Sequence, residues 1–274
     1  MAYRKLGNYV EVEPGIDLYV EEVGSGTPLI FIPGWTFTTE LFDHQIAHFA
    51  DRYRVITYDP RSHGRSTVTL EGNNFTTHGT DLIRLMKALD VQDAVLVGWS
   101  FGALIAWEVV RQMGTEGLKG VVTIDLSPKT LSVHDGDWVE GPMDEIAGAY
   151  NSFLGSPQGH RDFVTYYATE VMVQRDLAPE ELAWIVDQSL RTPTPIAALN
   201  FASGMFSNYL EEAKLVDQKL PALTIIAEHW AETAVPFMNK HCPATKTAVL
   251  GGHMMFWEHP AQFNELLDNY LSAL

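Results

Sequence analysis

A serine between two glycines is the strongest chemical signal in the sequence. The segment Gly98–Gly102, GWSFG, ends one continuous apolar segment, 93–98, and opens another, 102–113. A buried strand, a tight turn and a buried helix in this order are typical of a nucleophile elbow, which presents a serine hydroxyl at the edge of a sheet. We therefore predict that Ser100 is a nucleophile and not an ordinary helix cap.

A serine nucleophile needs a base, and the base needs a carboxylate that orients it. His253 lies in the segment 251–260, GGHMMFWEHP, between the last predicted strand and the last predicted helix. Two carboxylates are candidates for the acid. Asp125 directly ends the apolar segment 120–125, which gives it a defined place at the sheet edge, so we prefer it. Glu232, which follows the next core strand, is the fallback.

Strands and helices alternate around these residues. Alternating segments at 8–13 and 16–22 predict a hairpin around Pro14-Gly15. Continuous apolar segments predict buried strands at 27–33, 54–59, 93–98, 120–125, 222–228 and 245–250. Helical spacing of apolar residues predicts helices over 80–89, 102–113 and 261–274. We expect an α/β fold, with a mostly parallel eight-stranded sheet flanked by helices.

The alternation breaks between residues 129 and 215, where short helical segments are separated by Gly, Pro and Ser. We predict one sheet domain, made of residues 1–128 and 216–274, with residues 129–215 inserted as a helical cap. This cap carries 5 Lys and Arg against 13 Asp and Glu, a net charge of −8. A negative cap argues for an uncharged substrate and against phosphorylated or carrier-linked ones.

Composition narrows the function classes further. The chain has 274 residues, with 18 Lys and Arg, 35 Asp and Glu and a formal net charge of −17, so nucleic acid and anionic membranes are not expected as partners. The single cysteine, Cys242, excludes an internal disulfide and fits a reducing compartment. The first 15 residues have no apolar leader, and no apolar stretch of about 18 residues occurs. We expect a cytoplasmic protein with a small-molecule substrate, and a homodimer is left open.

The motifs together resemble the α/β-hydrolase superfamily. The elbow at Gly98–Gly102, the loop at 59–66, DPRSHGRS, and the ending GH…EHP at 252–260 occur in the family's order, and the resemblance covers nearly the whole chain. The family usually carries its acid after the strand at 222–228, but EHWA at 228–231 contains no aspartate. An acid at Asp125 resembles a branch of capped serine esterases and lactonases that place it one strand earlier.

The resemblance implies an oxyanion hole made of the backbone N–H groups of Trp35 and Phe101. This sequence has Pro33-Gly34-Trp35 where the family usually has His-Gly, which leaves backbone donors intact. Aromatic and Met side chains flank the motifs, and three of them are candidates for the wall of an apolar substrate pocket: Trp99, Met254 and Phe256. The predicted reaction is hydrolysis of a small, uncharged ester or lactone, apolar or aromatic, with no metal or organic cofactor.

Two other functions stay open. Pro33-Gly34-Trp35 also resembles cofactor-independent dioxygenases of the same fold, which act on hydroxyquinolones with the histidine as base. Those enzymes carry histidines beside the serine, whereas here its neighbours are Trp99 and Phe101. A ligand receptor of this fold that does not hydrolyse its ligand is the second alternative. A haloalkane dehalogenase is disfavoured because its nucleophile is an aspartate.

Overall fold

The protein is described from a computed structural model, which covers residues 7–132, 134 and 136–274. Residues 1–6 lie outside the described residues. They belong to the predicted core domain and to the first 15 residues, in which no leader is predicted. Positions 133 and 135 of the predicted cap also lie outside them.

Eight strands form one sheet in the described part of the chain. They are β1 (Gly7–Glu13), β2 (Ile16–Val23), β3 (Pro28–Ile32), β4 (Arg54–Tyr58), β5 (Ala94–Trp99), β6 (Leu118–Ile124), β7 (Ala222–Ile226) and β8 (Lys246–Val249). The strand order is β1-β2-β4-β3-β5-β6-β7-β8. β2 runs antiparallel to both of its neighbours, and β4, β3, β5, β6, β7 and β8 are mutually parallel. The predicted eight-stranded, mostly parallel sheet is confirmed.

Helices cover the sheet and fill the insertion between β6 and β7. The α-helices are α1 (Asp43–Phe49), α2 (Phe75–Ala88), α3 (Phe101–Met113), α4 (Met143–Phe153), α5 (Pro157–Tyr167), α6 (Pro179–Ser189), α7 (Thr194–Met205), α8 (Leu210–Lys219), α9 (Ala231–His241), α10 (Met255–Glu258) and α11 (Pro260–Leu271). Short 3-10 helices span Thr39–Phe42 and Glu228–Trp230, and a π-helix spans Ala168–Met172. Among the described residues, none of these helices has the length and apolar character required to cross a bilayer.

The helix ends follow from local sequence. α3 is apolar on nearly every face and is buried along its length until Arg111, and Gly114 ends it with a positive φ of 73°. The apolar spacing predicted that this helix begins at Thr80, but α2 begins five residues earlier, at Phe75. Two threonines follow Phe75 in its first turn, and the Asn74 side chain caps the helix by accepting the Thr77 N–H at 3.0 Å.

The insertion between β6 and β7 is closed at its base by a bridge between Lys129 and Asn208. α4 to α7 and the π-helix lie within it. α8 instead packs on α3, where Arg111 pairs with Glu212 at 2.8 Å. The predicted boundary between cap and core, 215/216, therefore falls inside α8, because this helix extends from Leu210 to Lys219.

Candidate active site

Ser100 occupies a strained turn between β5 and α3. Its φ of 51° and ψ of −130° lie in a region that side chains rarely adopt. The two flanking glycines make the turn sterically feasible. A Cβ at Gly98 would lie 2.5 Å from the Gly102 carbonyl oxygen, and a Cβ at Gly102 would lie 2.3 Å from that of Ile32. The GWSFG pattern thus forms the predicted strand–turn–helix elbow, and Ser100 projects from its tip.

His253 and Asp125 are hydrogen-bonded to each other inside the protein. Nδ1 of His253 lies 2.6 Å from Oδ2 of Asp125, and the exposed fractions of the two residues are only 2% and 1%. An imidazole held this way on Nδ1 leaves Nε2 for proton transfer. The structure therefore brings together the predicted base and the preferred acid.

Asp125 is fixed from a second side. Its Oδ1 accepts the backbone N–H of Ala227 at 2.7 Å, directly after β7. Asp125 also has a positive φ of 51°, which aspartate tolerates better than most residues. The fallback acid, Glu232, lies exposed in the first turn of α9. The end of β7 thus contributes a donor to the acid and not the acid itself.

The hydroxyl of Ser100 makes no hydrogen bond to another described residue, and Ser100 lines a cavity of about 810 Å³. Trp99 connects it to the histidine loop: the indole N–H of Trp99 donates to the carbonyl oxygen of His253 at 2.7 Å, and the two rings lie 5.2 Å apart. Hydrogen bonds between a nucleophile and its base are often long before substrate binds. The lack of one between Ser100 and His253, both described residues, is therefore compatible with a nucleophilic serine.

The loop after β3 packs directly against the serine. A Cβ at Gly34 would lie 2.9 Å from the Cβ of Ser100, which shows how closely the two segments approach. Trp35 and Phe101 both line the cavity. Phe101 begins α3, so its N–H has no acceptor within the helix, and the N–H of Trp35 donates to no backbone carbonyl of a described residue. Two amide donors are therefore available beside Ser100.

The cavity has an aromatic wall and a polar wall. Trp35, Phe163 and Phe201 form a cluster with ring centroids 5.6 to 5.9 Å apart, and Phe101 joins it. The other part of the lining, here called the polar wall, contains polar side chains, among them Glu140, Tyr167, Gln174 and His229. None of the described residues that line this cavity is Lys or Arg.

The three predicted pocket residues do not line this cavity. Trp99, Met254 and Phe256 are at most 1% exposed and belong to the core beneath the site. Trp99 packs between the rings of Phe37 and Phe256, each about 5.2 Å away. The prediction is wrong because proximity in sequence to Ser100 or His253 does not fix the direction of a side chain. Trp99 ends β5, Met254 precedes α10 and Phe256 lies within it, and all three side chains pack into the core.

Sequence reasoning missed two residues of the insertion between β6 and β7 that lie close to His253 and Asp125. Tyr167 meets the His253 ring edge-on, with centroids 5.4 Å apart, and stacks on Phe163 at 5.9 Å. Glu140 accepts the Ser127 N–H at 3.0 Å, two residues after Asp125. Neither belongs to a recognisable motif, and no periodic pattern in the sequence marks them.

Burial controls the protonation of several groups here. The pKa of Glu140 is raised to about 8, first by burial and then by the nearby charge of Asp125. The pKa of His229 is lowered by burial, against the opposing effect of Asp125. Burial, together with the negative charge of Asp125, raises the pKa of the Tyr167 hydroxyl well above its ordinary value. At neutral pH these three side chains are thus uncharged.

The loop 59–66 supports the site from behind. Arg61 binds Asp81 through two hydrogen bonds of 2.8 Å, and the carboxylate of Asp59 accepts the N–H groups of Thr39 and Arg65. His63 is buried, and burial together with His78 lowers its pKa to about 3. These contacts give the loop a structural role.

In the described part of the chain, no group of three or more His, Cys, Asp and Glu side chains could hold a metal ion. His44 and His48 both lie on α1, and the ring of His48 pairs with the carboxylate of Asp268 at 2.6 Å.

Relatives and solved structures agree with this architecture. The chain is 26% identical to a protein of Synechocystis sp. that carries the name non-heme chloroperoxidase, over 93% of this chain and 95% of the relative. It is 24% identical to a pimeloyl-[acyl-carrier protein] methyl ester esterase of Aeromonas hydrophila, over 92% and 98%. An esterase from Exiguobacterium antarcticum superposes with a TM-score of 0.86 at 19% identity, over 97% of this chain and 100% of that one.

A family model carries the assignment. It is the model of the alpha/beta hydrolase family, and it matches residues 29–266, which include the elbow, Asp125 and His253. The chain belongs to the alpha/beta hydrolase family.

Proposed function

We propose that this protein is a serine hydrolase that cleaves small, uncharged carboxylic esters or lactones through an acyl-enzyme. The observation that carries the proposal is the buried His253–Asp125 hydrogen bond of 2.6 Å behind an elbow serine that faces a cavity. The relatives named above include both an esterase and a chloroperoxidase, so the choice of reaction rests on the residues of the site.

Each step has a residue to perform it. Ser100 Oγ attacks the ester carbonyl while Nε2 of His253 takes its proton. The tetrahedral intermediate expels the alcohol, which receives that proton from His253 and leaves an acyl group on Ser100. A water then loses a proton to His253 and attacks the acyl carbon. The second tetrahedral intermediate breaks its bond to Ser100 Oγ, which takes the proton back from His253 as the acid is released. Asp125 holds the histidine tautomer and stabilises its charged form throughout.

An oxyanion forms in both the acylation and the deacylation step. The N–H groups of Trp35 and Phe101 stabilise it. Such preorganised donors are worth about 3–4 kcal/mol each in the transition state. The aromatic wall provides apolar area for the acyl or alcohol part of the substrate. With no Lys or Arg among the described lining residues and with Glu145 and Glu170 also lining the cavity, the field disfavours anionic substrates.

The direct test is hydrolysis of p-nitrophenyl acetate and butyrate by the wild-type protein and by Ser100→Ala. Loss of a triad serine costs about 10⁶-fold in kcat in other serine hydrolases, so the variant should be indistinguishable from background. A fluorophosphonate should label the wild type at Ser100 and leave Ser100→Ala unlabelled. An unchanged hydrolysis rate in Ser100→Ala would rule out the mechanism.

The alternatives give different results in the same experiment. A cofactor-free dioxygenase would consume oxygen with a hydroxyquinolone and keep that activity in Ser100→Ala. A ligand receptor would hydrolyse none of a panel of esters and lactones and would resist the fluorophosphonate.

A further inference from the structure

Glu140 is anchored at one carboxyl oxygen only. Its Oε1 accepts the Ser127 N–H at 3.0 Å, and its own N–H donates to the carbonyl of Thr130 at 3.0 Å. The second carboxyl oxygen makes no hydrogen bond to a described residue, although Glu140 lines the cavity. A purely structural role for this carboxylate would use the bond to Ser127 alone. The second oxygen is held in a fixed place with hydrogen-bonding capacity to spare.

Tyr167 is the second such group. Its ring is fixed between Phe163, which it stacks on, and His253, which it meets edge-on. Its hydroxyl makes no hydrogen bond to a described residue, and Tyr167 also lines the cavity. Tyr167 and Glu140 therefore line the same cavity as Ser100. Tyr167 contacts the ring of His253, and Glu140 is bonded to Ser127, two residues after Asp125.

We propose that Glu140 and Tyr167 form a hydrogen-bonding subsite that binds an uncharged oxygen of the substrate, a hydroxyl or a second carbonyl, while the aromatic wall holds its apolar part. The inference rests on the proposed ester or lactone hydrolysis. It makes the preferred substrate an ester with a second polar function, and not a plain hydrocarbon ester.

The protonation of the subsite suits an uncharged partner. The pKa of Glu140 is about 8, so at pH 7 its carboxyl carries a proton and can both donate and accept. The groups that act on it are Asp125, which raises this pKa, and the Ser127 N–H, which lowers it. Such a subsite disfavours an analogue that lacks the matching oxygen. The bound analogue would displace water from Glu140 and Tyr167 and leave both without a hydrogen-bond partner.

The test uses matched pairs of p-nitrophenyl esters. Each pair contains a straight-chain acyl ester and its counterpart with one hydroxyl or keto group, with the position of that group varied along the chain. The wild type should prefer at least one substituted ester over its parent by about fivefold or more in kcat/KM, the expected effect of one hydrogen bond. Glu140→Leu and Tyr167→Phe should each reduce that ratio, whereas Glu140→Gln should keep most of it because an amide also donates and accepts.

Glu180→Gln is the matched control, since Glu180 is exposed on α6 and does not line the cavity. It should leave the ratio unchanged. Absence of any preference in the wild type, or full preference in both Glu140→Leu and Tyr167→Phe, would overturn the subsite. Preference for an ester with an ammonium group that disappears in Glu140→Gln would also overturn it, since Glu140 would then bind as an anion.

A binding measurement separates this inference from the proposed function. Calorimetric titration of Ser100→Ala with the same ester pairs reports the subsite without turnover. Tighter binding of the substituted ester, lost in the double variant Ser100→Ala/Glu140→Leu, would support the subsite even if no ester were hydrolysed. Hydrolysis that depends on Ser100 but shows no such binding difference would leave the hydrolase intact and remove the subsite.

Discussion

Ala227 donates its backbone N–H to Oδ1 of Asp125 at 2.7 Å, while His253 occupies Oδ2 at 2.6 Å. Both oxygens of the carboxylate thus have a donor. The bond to Ala227 fixes the Asp125 side chain, at the end of β6, to the end of the neighbouring strand β7. Charge-assisted hydrogen bonds of this length are strong and directional. The arrangement orients His253 without any side chain from the end of β7.

Replacement of the acid tests this arrangement. Asp125→Asn should lower kcat for p-nitrophenyl butyrate by about 10⁴-fold, because an amide donor in place of Oδ2 favours the wrong histidine tautomer. Glu232→Gln is the control and should keep wild-type kinetics, since Glu232 is exposed on α9. Loss of activity in Glu232→Gln with a functional Asp125→Asn would reverse the assignment.

The close approach of Gly34 to Ser100 predicts a catalytic effect of one methyl group. In Gly34→Ala the new Cβ would lie 2.9 Å from the Ser100 Cβ and 3.0 Å from Trp99 Cε3, so the oxyanion loop must move away. Loss of alignment at one oxyanion donor should lower kcat by about 10²-fold.

Gly148→Ala provides the matched control for Gly34→Ala. A Cβ at Gly148, within α4, would meet nothing within 4 Å, so this variant should keep its activity and gain up to about 1 kcal/mol in stability. Equal kinetics for Gly34→Ala and the wild type would show that the loop does not contribute to catalysis.

The buried ion pair behind the site predicts a large loss of stability. Arg61 and Asp81 are 3% and 1% exposed, and Asp81→Ala would leave the buried guanidinium without its bidentate partner. The expected cost is about 3–5 kcal/mol in the free energy of unfolding, measured by urea denaturation. Glu211→Ala, which removes the exposed partner of Lys214 on α8, should cost at most about 0.5 kcal/mol. Similar losses for the two variants would contradict the burial argument.

Buried histidines predict a loss of stability in acid. Burial lowers the pKa of His78 from 6.5 to about 4, so between these values the unfolded chain binds a proton that the folded one does not. The stabilisation from neutral His78 is present above pH 6.5 and is lost as the pH falls towards 4. His78→Gln should reduce the slope of unfolding free energy in this window by up to about 1.4 kcal/mol per pH unit.

The control for that titration is His44→Gln, because His44 is exposed on α1. Its slope should match that of the wild type. The contribution of Asp59, whose pKa burial raises to about 6, cancels in the comparison, whereas His63, whose ring lies 5.8 Å from that of His78, contributes to the difference. An unchanged slope in His78→Gln would show that His78 accepts a proton without unfolding.

The elbow and the acid could be predicted because their chemistry dictates local sequence. A tight turn with a positive φ at Ser100 requires two glycines, and an apolar segment that ends in Asp125 places a carboxylate at a sheet edge. The walls of the cavity could not be predicted this way. Trp99 adjoins Ser100 but points into the core, whereas Tyr167 reaches His253 from the insertion. Which side chains meet there depends on how the inserted helices pack, and single-sequence periodicity does not encode it.

The inserted helices are hydrogen-bonded to the loop that carries His253 and to the loop that carries Trp35. The carbonyls of Val171 and Met172, in the π-helix, accept the N–H groups of His253 and Met254 at 3.2 and 2.7 Å. On the opposite side, the indole N–H of Trp35 donates to the carbonyl of Ala197 on α7 at 2.8 Å. Val171 and Met172 are the last two residues of the π-helix, and the last carbonyls of a helix have no partner within it, so they are free to accept these N–H groups.

These hydrogen bonds fix the His253 loop and Trp35 relative to the inserted helices. The position of the histidine therefore depends on the packing of the π-helix as well as on the sheet. α4 has no such tie: it packs mainly on α5 and α7, and its Met143 and Tyr150 side chains are exposed. Through Glu145, Ile146 and Ala149, α4 therefore forms a part of the cavity lining that, among the described residues, is hydrogen-bonded to neither the His253 loop nor the Trp35 loop.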